Sequence, residues 1–256
     1  SLGRDLFLIG MIKTGKVFIY GRNALFEALT SNPKSVKKVY ITNTPANKEI
    51  LSLLKNNDVQ YEITKEKQGA EKRSEQGIIA QIDTNGLFQN INIFFKENKI
   101  TPDTSIVVLD GINDPHNVGA IIRSAVAFGA SAVLIPEKGV ASITSGVISS
   151  SAGMTFKIPL LRASTAFDGI TEMKKLGVQI YGLDMNGDVS LHKENFSKPC
   201  VFVVGNEGVG IDPKVRKLCD GIVSIKINKN CESLNAAVSV GALLYEWSKQ
   251  HRKVLE

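Results

Sequence analysis

The 256-residue chain is poor in cysteine and histidine, with three of each: Cys200, Cys219 and Cys231, and His116, His192 and His251. No two cysteines form a C-x-x-C pair. This argues against a disulfide framework and against a Cys/His zinc site, so no metal is expected. A reduced, cytoplasmic protein is the plain reading. No run approaches 18 uninterrupted apolar residues, so no membrane span is expected. No internal repeat or low-complexity tract is evident. The opening SLGRDLFLIG is short and apolar but lacks a long apolar region and a small-residue cleavage site, unlike a secretory signal. We read it as an added tail or an alternative leader ahead of Met11 and leave it out of the fold.

What is present points to a soluble globular protein, with 43% hydrophobic and 22% charged residues. The length allows one large or two modest domains. A net charge of +6 favours a polyanionic partner weakly, the other reading being a solvated charged surface. Residues 1–103 carry 15 Lys+Arg against 11 Asp+Glu, and residues 104–256 carry 16 against 14. The excess therefore sits mainly in the first part, at Lys34, Lys37, Lys38, Lys65, Lys67, Lys72 and Arg73.

From residue 15 to 83 short segments alternate. YGRNALFEALTSN reads as a helix, VKKVYIT as a strand, ANKEILSLLKNN as a helix, and VQYEIT and GIIAQID as strands. Residues 84–103 read as a linker with room for one helix. From 104 to 256 the alternation lengthens: strand SIVVLD, helix NVGAIIRSAVAFG, strand AVLIP, and a helix or tight turn at TSGVISSSAG. A helix through FDGITEMKKLG follows, then strands VQIYGLD and CVFVVG, helix DPKVRKLC, strand GIVSIKI and a long last helix from about Glu232. Apolar strands alternating with helices predict an α/β fold, with a mainly parallel sheet covered on both faces. Sites in such sheets lie at the carboxyl ends of strands.

Three blocks fall at such ends: NDPHNVGAIIRSA (113–125), VVGNEGVGI (203–211) and IKINKNCESLNAAVSVGALLYEW (225–247). In the first, Asn117 lies near a helix start and Arg123 six residues on, just under two turns, which puts them on nearby faces. Asn117 is either a cap or a ligand group. Arg123 is either a surface cation or, among Ile121, Ile122, Ala125, Val126 and Phe128, a residue with an anionic partner. In the second block Gly205, Gly208 and Gly210 follow a fully apolar strand, with Glu207 between them. They form a bare turn or bring backbone amides close to a ligand. The order G-x-x-G-x-G is neither G-x-G-x-x-G nor a P-loop. In the third, Ser233 and Asn235 beside Glu232 open the last helix, Ser233 lying near its N-cap.

Taken in order and spacing, these blocks resemble the SpoU/TrmH family of RNA ribose 2′-O-methyltransferases, of the SPOUT class. The matching residues are Asn117, Gly119 and Arg123, then Gly205 to Gly210, then Glu232 to Asn235. The resemblance is strong over Ser105 to Lys249. It is looser over GRNALFEAL and EQGIIAQI, which resemble that family's small L30e-like substrate-binding domain. It implies an enzyme with a C-terminal trefoil-knot domain (104–256), a linker (84–103) and an RNA substrate-binding domain (15–83). It also implies S-adenosylmethionine (SAM) as cofactor, a homodimer with the site at its interface, and an RNA ribose as methyl acceptor. Guanosine in 23S-type large-subunit rRNA is the expected acceptor, with tRNA or a catalytically inactive RNA-binding protein as alternatives.

By position the resemblance gives Gly205, Ile225 and Leu234 to SAM, and Asn117, Arg123, Glu207, Ser233 and Asn235 to the catalytic set. Arg123 acting as a literal base would cost about 7 kcal/mol at pH 7. Holding a phosphate and stabilising alkoxide charge is the preferred role. The chain departs from the family at Ile225-Lys226-Ile227-Asn228-Lys229, where lysines replace the Pro and Gly of an IPMxG-like stretch. It departs again at Ser74-Glu75-Gln76-Gly77, where His-Gln-Gly is common. A Rossmann dehydrogenase is excluded by the missing strand–G-x-G-x-x-G–helix start.

Overall fold

A computed structural model describes residues 15–64 and 77–256. The opening decapeptide, Met11, the basic residues Lys65, Lys67, Lys72 and Arg73, and Ser74-Glu75-Gln76 lie outside the described residues. The described residues form two sheets. The first has four strands, β1 (Lys16–Tyr20), β2 (Val36–Thr42), β3 (Tyr61–Thr64) and β4 (Ile78–Asp83), in the order β1-β4-β2-β3. β4 pairs antiparallel with β1 and β2, and β3 runs parallel to β2. Helices α1 (Arg22–Ser31) and α2 (Lys48–Asn56) cover it. They bury Leu25, Ala28 and Leu29, and Ile50 and Leu54.

Residues 84–103 hold a 3-10 turn, the strand β5 (Phe88–Asn90) and the helix α3 (Ile91–Glu97). Asn90 caps α3, its side-chain oxygen accepting from the Asn92 and Ile93 amides. β5 is the edge strand of the second sheet. The other strands are β6 (Ser105–Leu109), β7 (Ala132–Leu134), β8 (Leu160–Arg162), β9 (Gln179–Leu183), β10 (Val189–Ser190), β11 (Cys200–Val204) and β12 (Gly221–Ser224). Their order is β10-β12-β9-β11-β6-β7-β8-β5, and every pairing is parallel.

β6 and β11 are buried along their whole length. Both are unbroken apolar runs apart from Ser105 and Cys200, as strands covered on both faces must be. Their side chains alternate between two cores. Val107, Leu109, Phe202 and Val204 meet α4 (Pro115–Ala127) and α8 (Ala236–Gln250), through residues such as Val118, Ile122, Val240 and Leu244. Ile106, Val108, Val201 and Val203 meet α3, α6 (Ala166–Lys174) and α7 (Pro213–Arg216), through Phe94, Ile170, Met173 and Val215. The first core also takes in the buried face of the four-stranded sheet. Around the join α5 (Ser145–Ser150) approaches β1, and Lys157 pairs with Glu27 at 2.9 Å.

Helices α4 and α8 run side by side in the same direction. Asn117 meets Asn235 at their N-terminal ends, and the Phe128 and Tyr245 rings make an edge contact 5.8 Å apart further along. Both positive helix ends therefore point to one place, the carboxyl edge of the parallel sheet. At the far end of α8, the buried His251 ring bonds Asp103 Oδ1 (2.9 Å) and the Phe196 carbonyl (2.8 Å) and stacks on Trp247.

Candidate functional site

The carboxyl ends of β9, β11 and β12 open into a cleft of about 270 Å³. Its walls are residues 183–186, the glycine loop 204–210, Ile225 and Ile227, and the approach to α8. Gly205, Glu207, Ile225, Ser233 and Leu234 all line it.

The glycine loop is locked by its own backbone. Asn206 and Gly210 exchange two main-chain hydrogen bonds, 3.0 and 2.9 Å, and Asn206 Oδ1 accepts from the Gly208 and Val209 amides. Asn206 Nδ2 reaches across to the Gly111 carbonyl at 2.9 Å, fastening this loop to the one after β6. Gly210 takes φ +73°, a conformation that disfavours any Cβ. At Gly205 the reason is space: a Cβ would stand 2.3 Å from the Gly210 carbonyl carbon. No side chain fits where the two strands of the loop cross.

Glu207 is the polar hub. Its Oε1 accepts from Asn117 Nδ2 (3.0 Å), Asn235 Nδ2 (2.6 Å) and the Ala236 amide (3.0 Å), and Asn235 also donates to Asn117 Oδ1 at 2.9 Å. One carboxylate thus sits at the positive ends of two helices and joins all three sequence blocks.

The caps differ from the sequence reading. α4 starts at Pro115 and is capped by Asp114, whose side chain accepts from the His116 amide. Asn117 is left free to turn toward Glu207. α8 is capped by Asn235, not by Ser233: its Oδ1 accepts from the Ala237 and Val238 amides. Ser233 is exposed in the preceding turn, its carbonyl accepting from Cys231 Sγ.

Arg123 does not join this group. Six residues of helix turn through about 600°, which leaves it roughly 120° around α4 from Asn117. It is exposed, does not line the cleft, and has no hydrogen bond or ion pair among the described residues. Its apolar neighbours face the core while its guanidinium faces solvent, so no anionic partner is forced by burial.

Lys226 and Lys229 are exposed and absent from the cleft wall, whereas Ile225 and Ile227 line it. Among the described residues the only non-glycine residues at positive φ are Asp58 and Ala152. Lys229 therefore stands where a lysine is unstrained.

Two features escaped the sequence reading. The first is the loop after β9, where Asp184 lines the cleft and pairs with Arg216 at 2.7 Å. The strand end LD was its only signal. The second is Asp110, which accepts from the Asp212 amide at 2.7 Å. Burial pushes its pKa up, and the amide opposes this.

A doubly covered parallel sheet with a ligand cleft at its carboxyl edge, walled by a glycine loop and the start of α8, defines an α/β protein built to bind a small molecule there. The SpoU rRNA Methylase family model matches residues 104–245, and a second model, for RNA 2′-O ribose methyltransferase substrate binding, matches residues 18–86. The chain belongs to the SpoU rRNA methylase family.

Among curated relatives, an uncharacterized tRNA/rRNA methyltransferase of Mycobacterium avium (strain 104) is 43% identical over 152 residues. The match spans 59% of this chain and 49% of that protein, so the chain spans about half the length of the curated relatives it matches. Among solved structures, the SpoU methyltransferase AviRb from Streptomyces viridochromogenes, in complex with the cofactor AdoMet, superposes with a TM-score of 0.78 at 24% identity. That match covers 94% of this chain and 92% of AviRb. An AdoMet-bound rRNA methyltransferase from Sinorhizobium meliloti gives 0.75 at 22% identity, covering 93% and 89%. At these identities the likeness establishes the shared fold.

Proposed function

We propose that this protein transfers a methyl group from SAM to a ribose 2′-hydroxyl of structured RNA, guanosine in large-subunit rRNA being the substrate. The observation that carries the reading is the Asn117–Glu207–Asn235 cluster, which ties the three family blocks together at the edge of the cleft that Glu207 lines. The cleft suits SAM: Leu183, Val204, Ile225, Ile227 and Leu234 offer apolar walls for an adenine, and Asp184 and Ser239 offer polar ends. Gly205, Ile225 and Leu234 would hold the cofactor, which supplies an electrophilic methyl on its sulfonium. Glu207, Asn117 and Asn235 fix the loops, so that approach to that methyl is in line. Ser233, exposed at the cleft, contacts the ribose.

Arg123 holds a substrate phosphate and steadies charge developing on the attacking oxygen. Because it is exposed and does not line the cleft of its own chain, it serves the cleft of a second copy, in a homodimer. The exposed Val238 and Tyr245, one stripe of α8 beside α4, support that interface. The C-terminal segment threads the trefoil knot of this family, and the three free thiols suit the cytoplasm. Substrate choice within rRNA falls to the N-terminal unit, supported by the match of the substrate-binding model there.

Titration of the full chain with SAM in a calorimeter tests the cofactor reading. Saturable binding is expected, and its absence would leave an inactive RNA-binding protein. A pH–rate profile of Arg123→Lys tests the bidentate phosphate role: near-complete activity would defeat it.

A further inference from the structure

We propose that a second cavity on the same sheet edge is an RNA subsite for a guanine base, distinct from the cleft. It lies between the N-terminal sheet and the carboxyl ends of β7 and β8, and encloses about 160 Å³. The inference rests on the RNA-methyltransferase reading for the identity of the polymer, but not for the chemistry of the cavity.

Five residues set that chemistry: Thr84, Asn85, Phe88, Glu137 and Arg162. Arg162 ends β8, and its Cζ stands 3.8 Å from the centroid of the Phe88 ring at the start of β5. Phe88 thus covers one face of the guanidinium, and a base entering the cavity takes the other. A guanidinium plane backed by an aromatic ring is a stacking platform for a nucleobase. Glu137 follows β7, its backbone amide held by the Ala163 carbonyl at 2.9 Å. The separation of its Oε1 from Arg162 Nε is 3.8 Å, too long for a hydrogen bond. Both carboxylate oxygens therefore keep their acceptor capacity, while the nearby charges offset one another.

That balance disfavours a phosphate and favours a flat, neutral group with paired donors on one edge. Among the RNA bases guanine is such a group, its N1–H and N2–H₂ facing the two oxygens of a carboxylate. Thr84 is already occupied, its hydroxyl donating to the Gly15 carbonyl. The Asn85 side-chain amide has no hydrogen-bond partner among the described residues and can take a remaining base or ribose atom.

The two sites share one frame. In the sheet order β12-β9-β11-β6-β7-β8, neighbouring strands are ~4.8 Å apart, so the cavity stands two to five strand spacings, ~10–24 Å, along the edge from the cleft, a span of a few nucleotides. A strand whose ribose faces the cleft places a nearby base here, and the cavity would set register on the RNA.

The test titrates the full chain with guanosine, adenosine, cytidine and uridine, read by saturation-transfer NMR with saturating SAM present. The proposal expects guanosine to bind about tenfold or more tighter than the other three. Glu137→Gln should erase that preference, and Arg162→Ala should weaken all four. Equal binding of the four nucleosides, or a preference unchanged in Glu137→Gln, would overturn it. Trp247 fluorescence verifies that each variant is folded. Loss of SAM binding in the wild type would sink the methyltransferase reading, while the nucleoside titration would still judge the cavity.

Discussion

Asn235 does two jobs that substitution can separate. Its Oδ1 caps α8, and its Nδ2 bridges Asn117 and Glu207. Losing the cap costs about 1 kcal/mol. The two side-chain bonds lie at a solvent-exposed hub where water replaces part of what is lost, so we assign each about 0.5 kcal/mol. Asn235→Ala should then destabilise the chain by about 2 kcal/mol. Asn235→Ser keeps the cap and should recover about half of that. Urea unfolding can be followed through Trp247, the only tryptophan, which is buried on the same helix. With a slope of about 2 kcal/mol/M, the Ala variant should lose about 1 M in midpoint and the Ser variant about 0.5 M. A midpoint unchanged in Asn235→Ala, or a Ser variant no better than Ala, would refute the account of the hub.

Gly205→Ala drives a Cβ into the Gly210–Ile211 backbone, so the loop must open; SAM affinity measured by calorimetry should fall tenfold or more while Trp247 still reports a folded helix. The thiols should divide in a disulfide-exchange assay at pH 8. Cys231 is exposed and reacts at once, while burial pushes Cys200 up to about 12 and Cys219 up to about 11, so both react only after urea is added. Asp110 titrates above the usual carboxylate range, so its charged form weakens the fold at neutral pH, and this cost is relieved as pH falls through its raised pKa. Asp110→Asn, whose amide oxygen can still accept from Asp212, should remove that gain on acidification; an unchanged pH–stability curve would contradict it.

The long, strongly patterned elements were legible in the sequence. SIVVL and CVFVV read as doubly covered strands and are buried throughout, and the apolar spacing of α4 placed its core face. The edge strands β5 and β10, and β8 beside β5, were not. β5 and β8 have three residues each and β10 two, too few for a period of two to show. GIVSIKI reads as one strand, yet β12 stops at Ser224, and Ile225 and Ile227 line the cleft instead. At the site, motif order pointed to Asn117, Glu207 and Asn235, and the structure brings those three into contact. It keeps Arg123 apart, because helical rotation and not sequence spacing decides which way a side chain faces. Asn206 lies inside the glycine motif, but its role depends on Gly111, 95 positions away, which local sequence does not show. Capping by Asn235 instead of Ser233 is likewise set by contacts across the fold, through Asn117 and Glu207.

The most direct test uses labelled SAM, the full chain and total RNA. After transfer, the RNA is hydrolysed in alkali, which cleaves through a free 2′-hydroxyl and spares the bond beside a 2′-O-methyl ribose. The account predicts label in alkali-resistant dinucleotides carrying a methylated guanosine, lost in Gly205→Ala. Label recovered only in mononucleotides would mean methylation of a base, and would contradict it.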